Sequence, residues 1–309
     1  MSIPASQPSP QPDGLLTLVV VTHDSVRWLR PFFESWRDAV ADAPELARSA
    51  VVVADAGSTD QIPAELARLR PDAKVLPVGH IGYGAAANAA IKAVGTPWVL
   101  LCNPDLTFPS GFGAEFLQPF TARTQRENEE WLKKAGVIAP RLVNPDGSVQ
   151  PSVGRFPTIR GMLRDQFRRR EERKYSFPQP TERCRIDWAT GACLLINREA
   201  FESVGGFDPF FFLYMEEVDL QLRLAAAGYP SWFVPAEHGG VVHHAPNAAR
   251  SARPEVQRWA ARGLLRYFAK HGNALQLAAC RGLILIAGRL ACSEALAGRK
   301  TLLARRTGP

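Results

Sequence analysis

The segment Phe212-Leu213-Tyr214-Met215-Glu216-Glu217-Val218-Asp219-Leu220 sets three carboxylates within four residues, directly after a run of aromatic and apolar side chains. Like charges crowded at the edge of an apolar segment raise the cost of ionising one another, and partial desolvation adds to it. Such clusters serve a metal, a proton transfer or a cationic partner. They equally suit a helix N-terminus, where acidic side chains meet the positive end of the helix dipole. Leu220, Leu222 and Leu224 do continue into a helical pattern, so both readings stand. Glu216, Glu217 and Asp219 are the candidate catalytic residues.

Other reactive side chains fall at the ends of apolar runs. Asp55-Ala56-Gly57-Ser58-Thr59-Asp60 carries two carboxylates and two hydroxyls, and it also reads as a turn with a helix cap. In Asn103-Pro104-Asp105 a rigid proline can hold the Asp105 carboxylate toward a divalent ion, although a plain turn fits the same residues. Hard oxygen ligands suit Mg²⁺ or Mn²⁺, which bridge to substrate phosphates. His243 and His244 follow Val241-Val242, so one imidazole should face an active edge and the other turn away. No P-loop, nucleophile elbow or G-x-G-x-x-G run is present, and Gly82-Tyr83-Gly84 lacks the third glycine.

These residues need elements to position them. Short β-branched or apolar runs at 15–22, 50–54, 74–78 and 98–102 read as buried strands. Helical patterns lie between them: Trp28, Phe32, Phe33 and Trp36 at helical spacing, then 63–69, then the Ala-rich stretch 84–94. Alternating strands and helices imply an α/β fold with an open, mostly parallel sheet, whose ligands bind beyond the carboxyl ends of the strands. Thr22, Asp24, Asp55, Asn103 and Asp105 all fall at such ends. Farther on, 137–143, 188–197 and 231–234 are expected as strands and 198–204 as a helix or turn. The stretch 155–174 is Arg-rich and is expected to be exposed.

Taken in order, these segments resemble the inverting family-2 glycosyltransferases of the glycosyltransferase-A fold. The similarity is carried by LVVVTHDS at 18–25, VVADAGSTD at 52–60, GYGAAANAAI at 82–91, LLCNPD at 100–105, PRLVNPDGSVQPS at 140–152, the block at 188–229 and VVHH at 241–244. Within the family, the chain most resembles actinobacterial rhamnosyltransferases that act on N-acetylglucosaminyl-diphosphoryl-polyprenol. The resemblance implies that Asp55 reads the pyrimidine ring N–H, and that Thr22, Asp24, Gly57, Asn88 and Asn103 belong to the nucleotide site. It implies Asp105 and His243 as ligands of Mg²⁺ or Mn²⁺, and Gly191 and Ala192 beside the acceptor and the sugar. Glu217 aligns with the catalytic base, where relatives usually carry Asp; Glu216 and Asp219 remain alternatives. The implied donor is dTDP-rhamnose, with UDP-galactofuranose or UDP-GlcNAc as alternatives. A non-catalytic protein that binds sugar nucleotides is the reading from another class.

Composition bounds the rest. The 309 residues, 22% charged and 46% hydrophobic, are ordinary for a globular protein. The net charge of +7 resides in the C-terminal part, where 250–309 holds twelve Lys or Arg against Glu255 and Glu294. The expected organisation is a disordered leader at 1–14, a nucleotide-sugar half at 15–136, an acceptor and catalytic half of the same domain at 137–248, and a basic amphipathic helical tail at 249–309. Such a tail suits an anionic membrane surface, or else a helical cap with a solvated basic face. No nucleic-acid reading module accompanies it. Five scattered cysteines and no apolar leader suggest reduced thiols and a cytoplasmic protein, peripheral on the inner face of the plasma membrane. The sequence leaves room for a homo-oligomer.

Overall fold

The computed structural model describes residues 14–117, 129–165, 179–235, 239–244 and 254–286. The expected leader apart from Gly14, residues 249–253 and 287–309 of the tail, and 166–174 of the Arg-rich stretch lie outside them. The apolar runs become strands β1 (Leu16–Thr22), β2 (Ala50–Asp55), β3 (Lys74–Pro77) and β4 (Trp98–Cys102). Every residue of β1 and β4 is buried, as strands covered on both faces must be. Alternation along β1 splits the core: Leu16, Leu18 and Val20 face Phe32 and Trp36, while Val19 and Val21 face the Ala-rich helix.

The remaining strands are β5 (Leu106–Thr107), β6 (Val137–Ala139), β7 (Leu142–Val143), β8 (Val153–Gly154), β9 (Cys184–Ile186), β10 (Trp188–Ala189), β11 (Cys193–Asn197), β12 (Ser231–Phe233) and β13 (Val241–His243). The helices longer than one turn are α1 (Val26–Ala39), α2 (Ile62–Leu69), α3 (Tyr83–Lys92), α4 (Ile159–Asp165), α5 (Arg198–Ser203), α6 (Glu216–Ala226), α7 (Pro254–His271) and α8 (residues 274–286).

The main sheet has eight strands in the order β3-β2-β1-β4-β11-β6-β12-β9. It is mixed and mostly parallel: β11 runs antiparallel to β4 and β6, and β9 antiparallel to β12. The chain winds outward from β1 to β3 and then returns to β4 on the other side of β1. That reversal opens a crevice beyond the carboxyl ends of β1 and β4. A second sheet, β5-β13-β7, stands beside it.

Two expected strands are each broken in two. The stretch 137–143 divides at Pro140-Arg141 into β6 of the main sheet and β7 of the second. Proline brings no N–H to a ladder, so a strand cannot run through it uninterrupted. The stretch 188–197 divides at Thr190-Gly191-Ala192, with β10 pairing to β8 and β11 to β4. The second break brings Gly191 to the crevice, and the first sets β7 beside β13. Cys102, Cys184, Cys193 and Cys280 are free thiols.

Over its described length the C-terminal segment is helical and packs on the body. Tyr267, Phe268 and Cys280 are buried with Trp188, Phe211 and Val218 in a third apolar cluster. Lys270 pairs with Asp208 and Asp219, and Arg266 lies 3.4 Å from Asp208. Part of the basic charge is therefore turned inward, onto acidic groups of the body.

Candidate active site

A cleft of about 240 Å³ opens at the crevice, lined among others by Thr22, Asn103, Asp105, Glu216, Glu217 and His243. One end of it is built from the tips of β1 and β2. The Thr22 hydroxyl is buried and donates to the Ala54 carbonyl (3.4 Å). Asp55 accepts from the Ser58 N–H (3.1 Å) and hydroxyl (2.5 Å), which folds the Gly-Ser-Thr turn back on the strand. Asp24, in left-handed backbone at φ 47°, accepts from the Thr59 N–H (2.7 Å) and hydroxyl (3.0 Å). Those two bonds hold its carboxyl below the usual range. Asp24, Asp55 and Gly57 adjoin lining residues rather than lining the cleft themselves.

The floor carries the paired candidates for a cation. Asp105 and His243 are both buried, and His243 Nε2 lies 3.4 Å from Asp105 Oδ1. β13 pairs antiparallel with β5, and the His244 N–H donates to the Asp105 carbonyl (2.9 Å), which sets this spacing. His243 Nδ1 faces Gln150 Oε1 at 2.8 Å. The expectation that the two histidines diverge is met: the His244 ring stacks on Trp28 and its Nε2 lies 3.0 Å from the Thr107 hydroxyl. Among the described residues no three His, Cys, Asp or Glu side chains converge as a metal cage.

Glu216 and Glu217 open α6 and also line the cleft, 5% and 3% exposed. The turn before them is unusual: Tyr214 and Met215 both have positive φ, at 69° and 74°. Gln221 pins the helix, bonding both backbone groups of Ala189 (2.8 and 2.9 Å) and the Glu217 carbonyl (3.0 Å). Tyr83 donates its hydroxyl to the Gly191 carbonyl (2.7 Å). Burial, reinforced by Glu216, pushes the Tyr83 phenol well above its ordinary range, so it serves as a donor and not as a base. Gly191 faces Tyr83 and Glu217, while the neighbouring Ala192 carbonyl accepts the Asn103 N–H (2.8 Å).

Two candidates do not join this group. Asp219 is fully buried one turn into α6, where Arg223 (2.8 Å), Lys270 (2.8 Å) and His271 (2.7 Å) enclose its carboxylate. It ties α6 to α7 and does not line the cleft. Asn88 exchanges two hydrogen bonds with the Phe207 backbone (2.8 and 2.9 Å), which occupies both ends of its amide in a brace under α3. In both cases the polar group is consumed by a packing contact that spacing along the chain does not reveal.

α7 reaches the site through several contacts. Trp259 stacks on Phe212 with ring centroids 4.3 Å apart, and Val256 lines the cleft. At Gly263 the helix backbone abuts the positive-φ turn, so closely that a Cβ there would lie 2.5 Å from the Tyr214 carbonyl and 3.1 Å from Met215 Cγ. Gly263→Ala is therefore expected to cost about 1–3 kcal/mol from overpacking. Gly282→Ala is the matched control: nothing lies within 4 Å, and Ala should gain roughly 0.5–1 kcal/mol of helix propensity. Thermal melts of the two variants check the contrast.

Tyr83, Gln150, Gln221 and the ring series His23, His80, Phe212 were not singled out by sequence reasoning. Gln150 had a signal, since it lies in the segment DGSVQPS that marked the resemblance.

Comparison with known proteins gives a consistent set. Residues 17–125 match the family model described as glycosyl transferase family 2. The N-acetylglucosaminyl-diphospho-decaprenol L-rhamnosyltransferase of Mycobacterium tuberculosis is 35% identical over 250 residues, spanning 74% of this chain and 76% of that protein. A rhamnosyltransferase of Escherichia coli is 38% identical over 85 residues, 28% of this chain and 31% of its own. Among solved structures, a mannosyltransferase from Pyrobaculum calidifontis in complex with GDP-Man and Mn²⁺ aligns with a TM-score of 0.50 at 19% identity, covering 96% of this chain and 82% of its own. Glucosyl-3-phosphoglycerate synthase from Mycobacterium tuberculosis aligns with a TM-score of 0.50 at 15% identity, covering 83% and 80%. At these identities the two structures speak to the fold alone.

Proposed function

Because the chain belongs to glycosyltransferase family 2 and has its glycosyltransferase-A fold, we propose that it moves L-rhamnose from dTDP-rhamnose to an N-acetylglucosaminyl-diphosphoryl-polyprenol, with inversion at the anomeric carbon. The observation that carries this reading is one cleft holding the buried Glu217 carboxylate together with the buried Asp105–His243 pair. The sugar and the acceptor are those named for the mycobacterial relative.

The residues present fit a divalent cation, Mg²⁺ or Mn²⁺. An oxygen and an imidazole nitrogen face each other from buried positions, and the second imidazole nitrogen is already engaged. Two protein ligands suffice for an ion that completes its coordination with substrate phosphates and water. When bound, such an ion offsets the negative charge that grows on the departing nucleoside diphosphate.

The chain's own residues do the rest. Asp55 reads the pyrimidine, and Thr22 and Asp24 hold the ribose end. Gly57 and Asn103 shape the nucleotide end, and Gly191 and Ala192 leave space for the sugar and acceptor. Glu217 takes the proton of the acceptor hydroxyl as that oxygen bonds to the anomeric carbon and the bond to the β-phosphate oxygen breaks. A single displacement from the opposite face inverts the configuration.

Turnover of the purified protein with dTDP- and UDP-sugars, Mg²⁺ or Mn²⁺ and a short-chain GlcNAc-diphosphoryl-lipid tests the proposal. Transfer from dTDP-rhamnose is the expected result. Transfer only from UDP-galactofuranose or UDP-GlcNAc would replace the donor, and nucleotide binding without transfer or hydrolysis would leave a binding protein.

A lipid-linked acceptor calls for contact with a membrane at its cytoplasmic face. No helix among the described residues is long and apolar enough to cross one. Leu275, Leu285 and Ile286 of α8 are 82%, 64% and 53% exposed, on a helix that also carries Arg281. Exposed apolar side chains beside a cation suit an anionic lipid surface. Replacing the three by Ser is expected to abolish flotation with phosphatidylglycerol vesicles while turnover of a water-soluble acceptor persists. Undiminished flotation would exclude α8 as the contact.

A further inference from the structure

We propose that Gln150 is a positioning residue: it ends a one-way hydrogen-bond relay from Asp146 that holds His243 as the Nδ1–H tautomer and aims its bare Nε2 at the cation beside Asp105. The inference rests on the metal-dependent reading above and adds a residue which that reading does not contain.

The direction of the relay follows link by link. An ionised carboxylate only accepts, and Asp146 Oδ1 takes both the Ser148 hydroxyl proton (2.6 Å) and the Ser148 N–H (2.9 Å). These bonds hold the Asp146 carboxyl below its ordinary range, so it stays an acceptor. With its proton committed, the Ser148 oxygen can only accept, and it receives Asn144 Nδ2–H (2.9 Å). That fixes the Asn144 amide with its oxygen outward, where it accepts Gln150 Nε2–H (3.0 Å). The Gln150 amide is fixed in turn, which leaves Oε1 facing His243 Nδ1 at 2.8 Å. An oxygen in that position requires a proton on Nδ1.

In the neutral ring, Nε2 then carries only a lone pair, 3.4 Å from Asp105 Oδ1. Two acceptors at that distance within a buried site repel unless a cation lies by them. The relay also runs inward, from an exposed turn to Gln150 at 7% and His243 at 6% exposure. The turn is itself rigid: Asn144 and Ser148 bond through their backbones (2.8 Å), and the Gln150 N–H is tied to the Leu142 carbonyl of β7 (2.9 Å). Because β7 pairs with β13, Gln150 is carried at a constant offset from His243.

Outer partners of a metal-bound imidazole orient the ring and raise its basicity, and losing one typically costs about 10–100-fold in metal affinity. Mn²⁺ titrated into the full chain with dTDP present, followed by the electron paramagnetic resonance of free Mn²⁺, should show that loss in Gln150→Leu. Gln150→Glu keeps an acceptor at Nδ1 and should lose less. Asn144→Ala, at the half-buried third link, should weaken binding in the same direction without disturbing the core. Nitrogen-15 spectra of histidine-labelled protein without metal should show Nδ1–H at His243 in the wild type and a shift toward Nε2–H in Gln150→Leu. Unchanged Mn²⁺ affinity and an unchanged tautomer in Gln150→Leu would overturn the relay. His243→Ala and Asp105→Asn separate the two levels. If they weaken Mn²⁺ binding while Gln150→Leu does not, only the role of Gln150 falls. If they too leave it unaltered, the metal site falls with it.

Discussion

Glu217→Gln is expected to lower kcat by about 10²–10⁴-fold, the range a general base supplies, while dTDP binding stays at its wild-type level. On the barrier this corresponds to roughly 2.7–5.4 kcal/mol. The substitution keeps the volume and most of the hydrogen bonding of a side chain only 3% exposed, and removes the basic oxygen. Gln221 holds the Glu217 carbonyl, so the first turn of α6 has no reason to move. Tyr83 offers no substitute, because its phenol is kept protonated. Steady-state turnover and calorimetric dTDP binding, measured on the same preparation, give the two numbers needed. If Glu216→Gln shows the loss and Glu217→Gln does not, the base is reassigned by one residue.

Asp219→Ala is expected to act on stability. The variant leaves Arg223, Lys270 and His271 grouped around a vacated, fully buried position. Breaking a buried pair in this way costs about 3–5 kcal/mol. The partners here are 19–28% exposed, so solvent screening favours the lower end, about 3 kcal/mol. For a chain of this size that corresponds to a fall in Tm of roughly 4–5 °C. Below the melting range, turnover should fall by less than about tenfold, since the carboxylate does not line the cleft. A drop beyond 10²-fold at unchanged Tm would return Asp219 to the chemistry. The two variants thus separate neighbours in the chain by readout: one should change rate without melting, the other melting without a comparable change in rate.

Much of the fold is legible in short windows of sequence. The runs LTLVVVT, AVVVAD and WVLLC are apolar and β-branched, which suffices to bury them as central strands. Once they are strands of an open sheet, Thr22, Asp55 and Asp105 must lie near the crevice, whatever the details of packing. The block at 188–229 carries enough residue-specific pattern to point to the family, and with it to the class of reaction. The breaks at 140–141 and 190–192 carry local signals in Pro140-Arg141 and Thr190-Gly191, but those signals do not say which sheet each half joins.

The assignment of individual carboxylates had to come from the tertiary structure. Glu217 and Asp219 sit two positions apart on a helix of 3.6 residues per turn, so they cannot face the same way. Nothing within nine residues says which one meets the cleft. Lys270 and His271, some fifty positions later, decide it by enclosing Asp219. The same holds for Asn88 with Phe207, and for Gln150 with His243 across 93 positions. Composition alone made the C-terminal part a basic tail, and only packing turned Arg266 and Lys270 onto Asp208. Periodicity and burial are properties of a few consecutive residues, so the sequence by itself determined the sheet, the crevice and the family. Hydrogen bonds and ion pairs act over about 3 Å between groups far apart in the chain, so only the folded structure could decide which polar residues were left for chemistry.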